Sequence, residues 1–277
     1  MKKNPPPSES NLGPDLVALR IPHVDTGLEL FIHDHRDLHV SKTLRETGIW
    51  EPYETQLLVD ALRSGDVFLD VGANLGYYTV LAASLVGSEG KVFAFEPEPA
   101  NFSLLESSCR HNELTNIELH CVALSDVDGS GYMFLNQSNL GDHQIYDDGG
   151  GRERIEIQLV PGDICLAVHA SRADVIKIDT QGAEYNVLSG LQKLIKNSLP
   201  DLIMIVEFWP AGLRRAGGSG DQLLDLLLEY GLDIQIIDHL GHSLIPCTEA
   251  DLRLWIHDVD NTPGNDGFLN LRLGRRL

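Results

Sequence analysis

Three carboxylates stand at or just after the ends of short apolar runs: Asp70, Glu96 and Asp179. Such runs, rich in valine, isoleucine and phenylalanine, predict strands buried on both faces of a parallel sheet. Ligands of open α/β sheets bind in the crevice beyond the carboxyl ends of the strands. The three carboxylates should therefore converge on one cavity, where they could accept hydrogen bonds from hydroxyl and ammonium groups.

The elements around the first two acids form one unit. The turn Gly72-Ala73-Asn74-Leu75-Gly76 follows Asp70, and the alanine- and leucine-rich residues 77–86 predict a helix. A second apolar run, residues 91–95, leads into Glu96-Pro97. Strand, glycine turn, helix, strand and acid together predict a nucleoside-binding βαβ unit.

The glycine turn indicates which nucleoside binds. A dinucleotide fingerprint is Gly-x-Gly-x-x-Gly, with the pyrophosphate on the helix N-terminus, and residues 72–76 are one glycine short of it. Asp70 would repel a pyrophosphate, whereas it suits a ligand that carries an ammonium and a sulfonium. Glu96 can accept both ribose hydroxyls of either ligand and does not discriminate. The balance favours S-adenosylmethionine over NAD.

Four segments in this order resemble the FkbM family of methyltransferases: residues 70–79, 95–97, 123–126 and 176–184. The resemblance covers roughly residues 50–275, the usual extent of one such domain. One departure is Thr180-Gln181, where many relatives carry Val-Glu. The acceptor of the methyl group therefore cannot be copied from the family.

The resemblance implies an α/β fold, the Rossmann-like doubly wound sheet of class I methyltransferases. Its strand order would be 3-2-1-4-5-7-6, with the last strand antiparallel. Residues 1–14 are rich in proline, serine and asparagine, which predicts a disordered tail. We further expect a small N-terminal extension over residues 15–50 and the methyltransferase domain over residues 51–277.

The same resemblance implies which residues contact S-adenosylmethionine and its product S-adenosylhomocysteine. These predicted cofactor-binding residues are Asp70, Gly72, Ala73, Asn74, Gly76, Tyr77, Glu96, Pro97, Ala123, Leu124, Ser125 and Asp179. The segment from Ala123 to Asp126 also has good turn chemistry, so a plain turn stays an alternative there.

Asp179 and His143 are the candidate catalytic residues. Methyl transfer needs nucleophile, methyl carbon and sulfur in line, and a hydroxyl nucleophile also profits from a base. Asp179 stands at a strand end, and His143 lies in the polar, glycine-rich residues 136–154, which we expect to cover the site. Together with Glu207 these two could hold a hard cation. However, Trp209-Pro210 stands where metal-dependent catechol-type enzymes carry an Asp-Asn pair, so no metal is predicted.

Four further residues have two readings each. Lys177 lies inside an apolar strand, where an ammonium needs a partner, and we expect a structural ion pair with Glu207 as the candidate. Trp209 could stack on a sugar ring or pack in the core. Tyr53 and Glu54 could lie near the methionine end of the cofactor or simply begin a solvated helix.

These observations lead to one principal function and two alternatives. The principal one is an S-adenosylmethionine-dependent O-methyltransferase acting on a hydroxyl of a glycan, a sugar or a small natural product. The alternatives are an NAD-dependent oxidoreductase on a similar sheet and a non-catalytic nucleoside-binding regulator.

Composition bounds the partners and the compartment. With 21 basic and 41 acidic residues the net charge is −20, which repels phosphate backbones and anionic membranes. We therefore expect a small-molecule or glycan substrate, no nucleic acid and no membrane, and we predict no oligomeric state. Four scattered cysteines and the lack of an apolar run of 18 residues predict a cytoplasmic protein without disulfides.

Overall fold

The computed structural model describes residues 14–24, 27–147 and 149–275. The predicted tail over residues 1–14 therefore lies outside the described residues, apart from Pro14. The strands are β1 (Asp15–Ala18), β2 (Glu29–Ile32), β3 (Val67–Val71), β4 (Lys91–Phe95), β5 (Ile117–His120), β6 (Ala123–Ser125), β7 (Gly129–Leu135), β8 (Glu153–Pro161), β9 (Val175–Ile178), β10 (Ile203–Phe208), β11 (Ile234–Asp238), β12 (Ser243–Pro246) and β13 (Leu269–Leu273). The helices are α1 (Val40–Thr47), α2 (Pro52–Ala61), α3 (Tyr77–Val86), α4 (Pro99–His111), α5 (Gly162–Cys165), α6 (Glu184–Gly190), α7 (Gln192–Ser198), α8 (Pro210–Arg215), α9 (Gly220–Glu229) and α10 (Glu249–Asn261).

The central sheet has eight strands in the order β12-β11-β13-β10-β9-β3-β4-β5. From β10 to β5 the neighbouring strands are parallel, while β13 lies antiparallel between β10 and β11. Numbering β3, β4, β5, β9, β10, β11 and β13 from one to seven gives the order 3-2-1-4-5-7-6, with β12 added at one edge. The doubly wound α/β sheet predicted from the sequence is confirmed.

Side chains alternate across β3 and so divide the core in two. Leu69 and Val71 pack with one hydrophobic cluster, which includes the helices α6, α7, α9 and α10. Phe68 packs with the other cluster, which α3 and α4 cover. The N-terminal strand pair also buries Leu30 and Ile32 in this second cluster. Because alternation sets the face of every strand residue, Asp70 points to the α3 side with Phe68.

The third predicted strand differs from the observed one. The apolar pattern of residues 117–122 predicts a single strand there, but β5 ends at His120. After a two-residue crossing, Ala123 to Ser125 form β6, which pairs in parallel with β8 in a separate sheet of order β6-β8-β7. The alternative of a plain turn in this segment is therefore not what residues 123–125 form, because pairing with β8 satisfies their backbone groups in a strand.

Among the described residues, no helix combines the length and apolar character needed to cross a membrane.

Candidate active site

The site is built where the ends of β3 and β9 meet. These two parallel neighbours lie where the chain order of the sheet reverses, which is the usual ligand position in open α/β sheets. The Asp179 amide donates to the Val71 carbonyl over 3.0 Å. Gly72 has a φ of +86°, and a Cβ there would collide with the Asp179 backbone carbonyl. Glycine is therefore what lets the two strand ends approach.

A cavity of about 420 Å³, called cavity 1, opens at this junction. Its walls include apolar side chains of β4, β6 and β7, such as Phe95, Leu124 and Met133. Nine of the predicted site residues line it: Gly72, Asn74, Glu96, Pro97, Ala123, Leu124, Ser125, His143 and Asp179. Cavity 1 therefore joins an apolar wall to a carboxylate, the composition that a nucleoside base and ribose require.

Glu96 is the fixed carboxylate of cavity 1. Its Oε2 accepts the Asn74 backbone N–H and its Oε1 accepts the Glu98 backbone N–H, each over 2.8 Å. Burial raises the pKa of Glu96 to about 7, although these two hydrogen bonds act to lower it. The side chain is thus held in one orientation, with lone pairs left to accept hydroxyls.

Four predicted cofactor residues lie behind the wall of cavity 1. Asp70 faces α3, where its Oδ2 accepts the Thr79 hydroxyl over 2.6 Å. The Ala73 amide donates to the Phe95 carbonyl. Gly76 packs against Leu105 of α4, and the Tyr77 hydroxyl lies 3.0 Å from that of Thr55. The structure does not bring these four to cavity 1, so a direct cofactor contact for them stays a prediction.

The buried acids should make the ligand-free protein less stable as pH rises. Burial raises the pKa of Asp70 from 3.8 to about 6 and that of Glu96 from 4.5 to about 7. Because the folded state binds these protons more tightly, their stabilising contribution is complete below about pH 4 and is lost through about pH 6–7. Each could contribute up to about 3 kcal/mol, at about 1.4 kcal/mol per tenfold change in proton affinity.

We therefore expect the unfolding midpoint to fall as the pH rises from about 4 to about 7, and to level off above that. Asp70→Asn, which can still accept the Thr79 hydroxyl, should reduce that slope, and the exposed Asp60→Asn should not. Differential scanning calorimetry across this pH range measures both. An unchanged slope in Asp70→Asn would contradict the account.

A second, more polar cavity of about 710 Å³, called cavity 2, adjoins the first. The two share Asn74, Gly141, Asp179 and Gln181. The segment between β7 and β8 separates the two cavities and is called the partition. Its residues alternate, with His143 and Ile145 lining cavity 1 and Asp142 and Gln144 lining cavity 2. A group bound in either cavity would therefore meet Asp179 at their common boundary.

Lys177 fixes the boundary residue Asp179. The buried Lys177 Nζ lies 3.0 Å from Asp179 Oδ2 and 3.6 Å from Glu54 Oε1. Burial alone would lower the pKa of Lys177, but the carboxylates of Asp179, Glu54 and Glu51 outweigh it and raise that pKa above its ordinary value. The prediction that Lys177 pairs with Glu207 was wrong, because the Glu207 oxygens accept hydrogen bonds from the Gln181 amide instead.

Gln181 holds Asp179 from the other side. Its Nε2 donates to Asp179 Oδ1 over 2.7 Å and also to both oxygens of Glu207. Burial raises the pKa of Glu207 well above its ordinary value. The amide of Gln181 thus lies between two carboxylates that would otherwise repel each other. A glutamate at position 181 would add a third acidic side chain beside Asp179 and Glu207.

His143 is a hydrogen-bond donor in this geometry. The Asn136 backbone N–H donates to its Nδ1 over 3.1 Å. The neutral imidazole therefore carries its proton on Nε2, and its lone pair is already engaged. Burial also lowers the pKa of His143, which favours that neutral ring. His143 can position a ligand oxygen but is poorly placed to take a proton.

Strained backbone gathers around cavity 2. Glu51, Asn74 and Gln181 all line it, and all have positive φ, at 41°, 51° and 54°. Non-glycine residues in this region cost about 1–3 kcal/mol each and cluster at functional sites. Sequence reasoning misses Glu51, because the pair Glu51-Pro52 predicts only the start of a helix. A residue before proline is disfavoured in the helical region, which is the one local signal it carried.

Of the three remaining predicted residues, one lines cavity 2 and two lie outside both cavities. Trp209 lines cavity 2, with the Arg215 guanidinium 5.5 Å from its ring centre. Glu54 is buried against Lys177, and Asn270 donates to its Oε2 over 2.7 Å. Tyr53 stacks on His242, with ring centres 5.5 Å apart. Of these three, Trp209 alone faces a cavity described above.

This chain is similar to several known proteins. Hexuronic acid methyltransferase AglP of Haloferax volcanii is 27% identical over 146 residues, which cover 51% of this chain and 56% of that protein. Methyltransferase sdnD of Sordaria araneosa is 23% identical over 209 residues, covering 62% and 76%. The solved structure of a precorrin-6y C5,15-methyltransferase from Geobacter metallireducens superposes with a TM-score of 0.45 and 11% identity, over 82% of this chain and 88% of that one. The chain thus spans little more than half the length of AglP.

The family model for the methyltransferase FkbM domain matches residues 70–234, more than half of the chain. The matched span begins at Asp70, at the end of β3, and includes the glycine turn, Glu96, His143 and Asp179. On this match, the chain belongs to the FkbM methyltransferase family.

Proposed function

We propose that the protein is an S-adenosylmethionine-dependent O-methyltransferase acting on a hydroxyl of a glycan, a sugar or a small natural product. The observation that carries this proposal is the meeting of a nucleoside-sized cavity and a polar cavity at one carboxylate, Asp179. A methyl donor in cavity 1 and an acceptor in cavity 2 would bring their reacting atoms together at that boundary. Family membership favours methyl transfer over the oxidoreductase alternative.

The residues of cavity 1 fit S-adenosylmethionine. Glu96 would accept the ribose hydroxyls, while Phe95 and Leu124 offer apolar surface to the adenine. Asn74 Oδ1 is buried without a hydrogen-bond partner among the described residues, at the boundary where the methionine end would lie. When bound, the cofactor supplies an electrophilic methyl group on a sulfonium. The chain's own task is to align the acceptor and stabilise the charge that develops on it.

Cavity 2 favours a hydroxyl-rich acceptor. Trp50 and Trp209 line it among carboxylates, amides and two arginines, and aromatic side chains of this kind contact sugar rings. Gln144 Oε1 and Trp209 Nε1 have no hydrogen-bond partner among the described residues, and a hydroxylated ligand at this wall would offset that cost. A hexuronic acid, named for the relative AglP, is the first acceptor to test.

Asp179 would lie beside the oxygen of the acceptor hydroxyl, at the boundary of the two cavities. As the oxygen attacks the methyl carbon it gains positive charge, and a carboxylate in a partly buried site stabilises that charge. Asp179 is fixed from both sides by Lys177 and Gln181. His143 Nε2 would donate to a ligand oxygen from the partition.

Transfer of label from S-adenosyl-[methyl-³H]methionine tests the proposal. The acceptor panel is methyl β-D-glucuronide, methyl β-D-glucoside and methyl β-D-glucosaminide, with product position read by mass spectrometry. We expect label in an O-methyl product. Label on nitrogen or carbon would overturn O-methylation. Binding of NAD without binding of S-adenosylhomocysteine would overturn the cofactor.

Glu96→Ala should weaken S-adenosylhomocysteine binding by about 10- to 100-fold, because it removes charge-assisted ribose hydrogen bonds at about 1.5–3 kcal/mol each before water compensates. The exposed Glu106→Ala, on α4, is the matched control. Isothermal titration calorimetry on folded protein measures both. Equal affinity in the two variants would remove Glu96 from the cofactor site.

A further inference from the structure

We propose that Glu51 is a catalytic residue of this enzyme, the base that takes the proton from the acceptor hydroxyl. The inference rests on the proposed function and adds to it a residue outside the matched family span of residues 70–234. Glu51 lines cavity 2 together with Asp179, Gln181 and Glu207.

The backbone at Glu51 has a conformation that glutamate rarely adopts. Glu51 precedes Pro52, the first residue of α2, and adopts φ 41° and ψ 71°. A left-handed conformation is unfavourable for glutamate and persists only where the surroundings impose it. The Tyr78 hydroxyl, from α3, donates to Glu51 Oε2 over 2.9 Å. The other oxygen, Oε1, has no hydrogen-bond partner among the described residues. The chain thus holds one oxygen and leaves the second for a ligand.

Several ionisable groups face Glu51. They are Glu54 from α2, Tyr77 and Tyr78 from α3, Lys177 from β9, Asp179 just after it, Glu207 from β10 and His239 after β11. Five carboxylates, those of Glu51, Glu54, Asp70, Asp179 and Glu207, therefore lie near the Lys177 ammonium. Burial and the nearby Glu54 raise the pKa of Glu51 to about 7, against the lowering effect of Lys177. A base whose pKa lies near neutrality is suited to accept a proton at physiological pH.

The other candidates are less suited to this step. Asp179 already accepts hydrogen bonds on both oxygens, from Lys177 and from Gln181. His143 has its lone pair engaged by the Asn136 amide. Glu207 already accepts the Gln181 amide on both of its oxygens. Glu51 is therefore the group that takes the proton, while Asp179 stabilises the charge that develops on the acceptor oxygen.

The step balances with these groups alone. The acceptor oxygen forms a bond to the methyl carbon as the carbon–sulfur bond breaks, and the electron pair of that bond stays on sulfur. The hydroxyl proton passes to Glu51 Oε1. The products are the methyl ether, S-adenosylhomocysteine and a neutral Glu51, which returns its proton to water through cavity 2.

The test combines turnover with a titration that needs neither cofactor nor acceptor. Glu51→Gln keeps the shape, and we expect turnover to fall about 100-fold while S-adenosylhomocysteine affinity changes less than about threefold. The acid limb of the wild-type pH–rate profile, near the pKa of about 7, should be lost. Glu46→Gln, exposed on α1, is the control expected to behave as wild type. A retained acid limb in Glu51→Gln would overturn the inference.

Infrared difference spectroscopy on the ligand-free protein supplies the second readout. We expect a carboxyl that titrates between about pH 6 and 8 and is missing in Glu51→Gln. Tyr78→Phe should move this titration to higher pH, because it removes a donor to the charged form. If Glu51→Gln fails to fold, the titration in Tyr78→Phe tests the inference by itself. A shift to higher pH supports it, and an unchanged titration would overturn it. No Glu51 titration in that range would sink the inference even if label transfer succeeds. Failure of wild type to label any acceptor would count against the proposed function instead.

Discussion

Replacing Gly72 by valine is expected to abolish S-adenosylhomocysteine binding. The collision is with protein backbone: any Cβ at this position would meet the Asp179 carbonyl, and its carbonyl carbon at 2.9 Å. Separating the two strands would also break the hydrogen bond from the Asp179 amide to the Val71 carbonyl. Since Gly72 and Asp179 both line cavity 1, the substitution would distort cofactor and acceptor positions together.

Gly65→Ala is the matched control for this variant. Gly65 has a similar φ of +89°, but a Cβ there meets nothing within 4 Å. It should lose about 1 kcal/mol to backbone strain and bind S-adenosylhomocysteine normally. Circular dichroism, thermal unfolding and calorimetric titration separate the two effects. Normal binding by a folded Gly72→Val variant would disprove the close approach on which the site depends.

Asp179→Asn is expected to lower turnover by about 10³-fold while cofactor affinity changes only several-fold. Removing one fixed group that stabilises transition-state charge costs about 10²–10³, and a small misplacement of the acceptor adds to it. The amide also cannot satisfy both neighbours. Its nitrogen must point either at the Lys177 ammonium or at the Gln181 amide, which are both donors. The buried Lys177 would then lose part of its compensation, so the unfolding midpoint should fall.

The pH–rate profile distinguishes the roles of the two carboxylates. Asp179→Asn should keep an acid limb near pH 7, because that limb belongs to Glu51. The exposed Asp60→Asn is the control. A loss of cofactor affinity as large as the loss of turnover would reassign Asp179 to holding the methionine amino group. A flat profile in Asp179→Asn would make Asp179 the base and remove Glu51 from that role.

The sequence alone determined the fold class and the organising unit of this protein. Buried parallel strands, a glycine turn and strand-end acids are local patterns, and the run from Val67 to Phe95 carries all of them. The glycine at the turn was also predictable from the sequence, because few other residues tolerate the φ that Gly72 adopts. The choice of Glu96 as a cavity carboxylate followed from its place directly after a strand.

Only the tertiary structure decided what each of those acids does. Asp70 is one residue from the end of β3, and the two-residue alternation turns it to Thr79 and away from cavity 1. Lys177 pairs with Asp179 and Glu54, and Glu54 comes from a helix more than 100 residues earlier in the chain. The lone pair of His143 is taken by a backbone amide whose position depends on the folded partition segment. Glu51 became a candidate base through burial among groups from five elements, and such an environment leaves no periodic trace in a sequence.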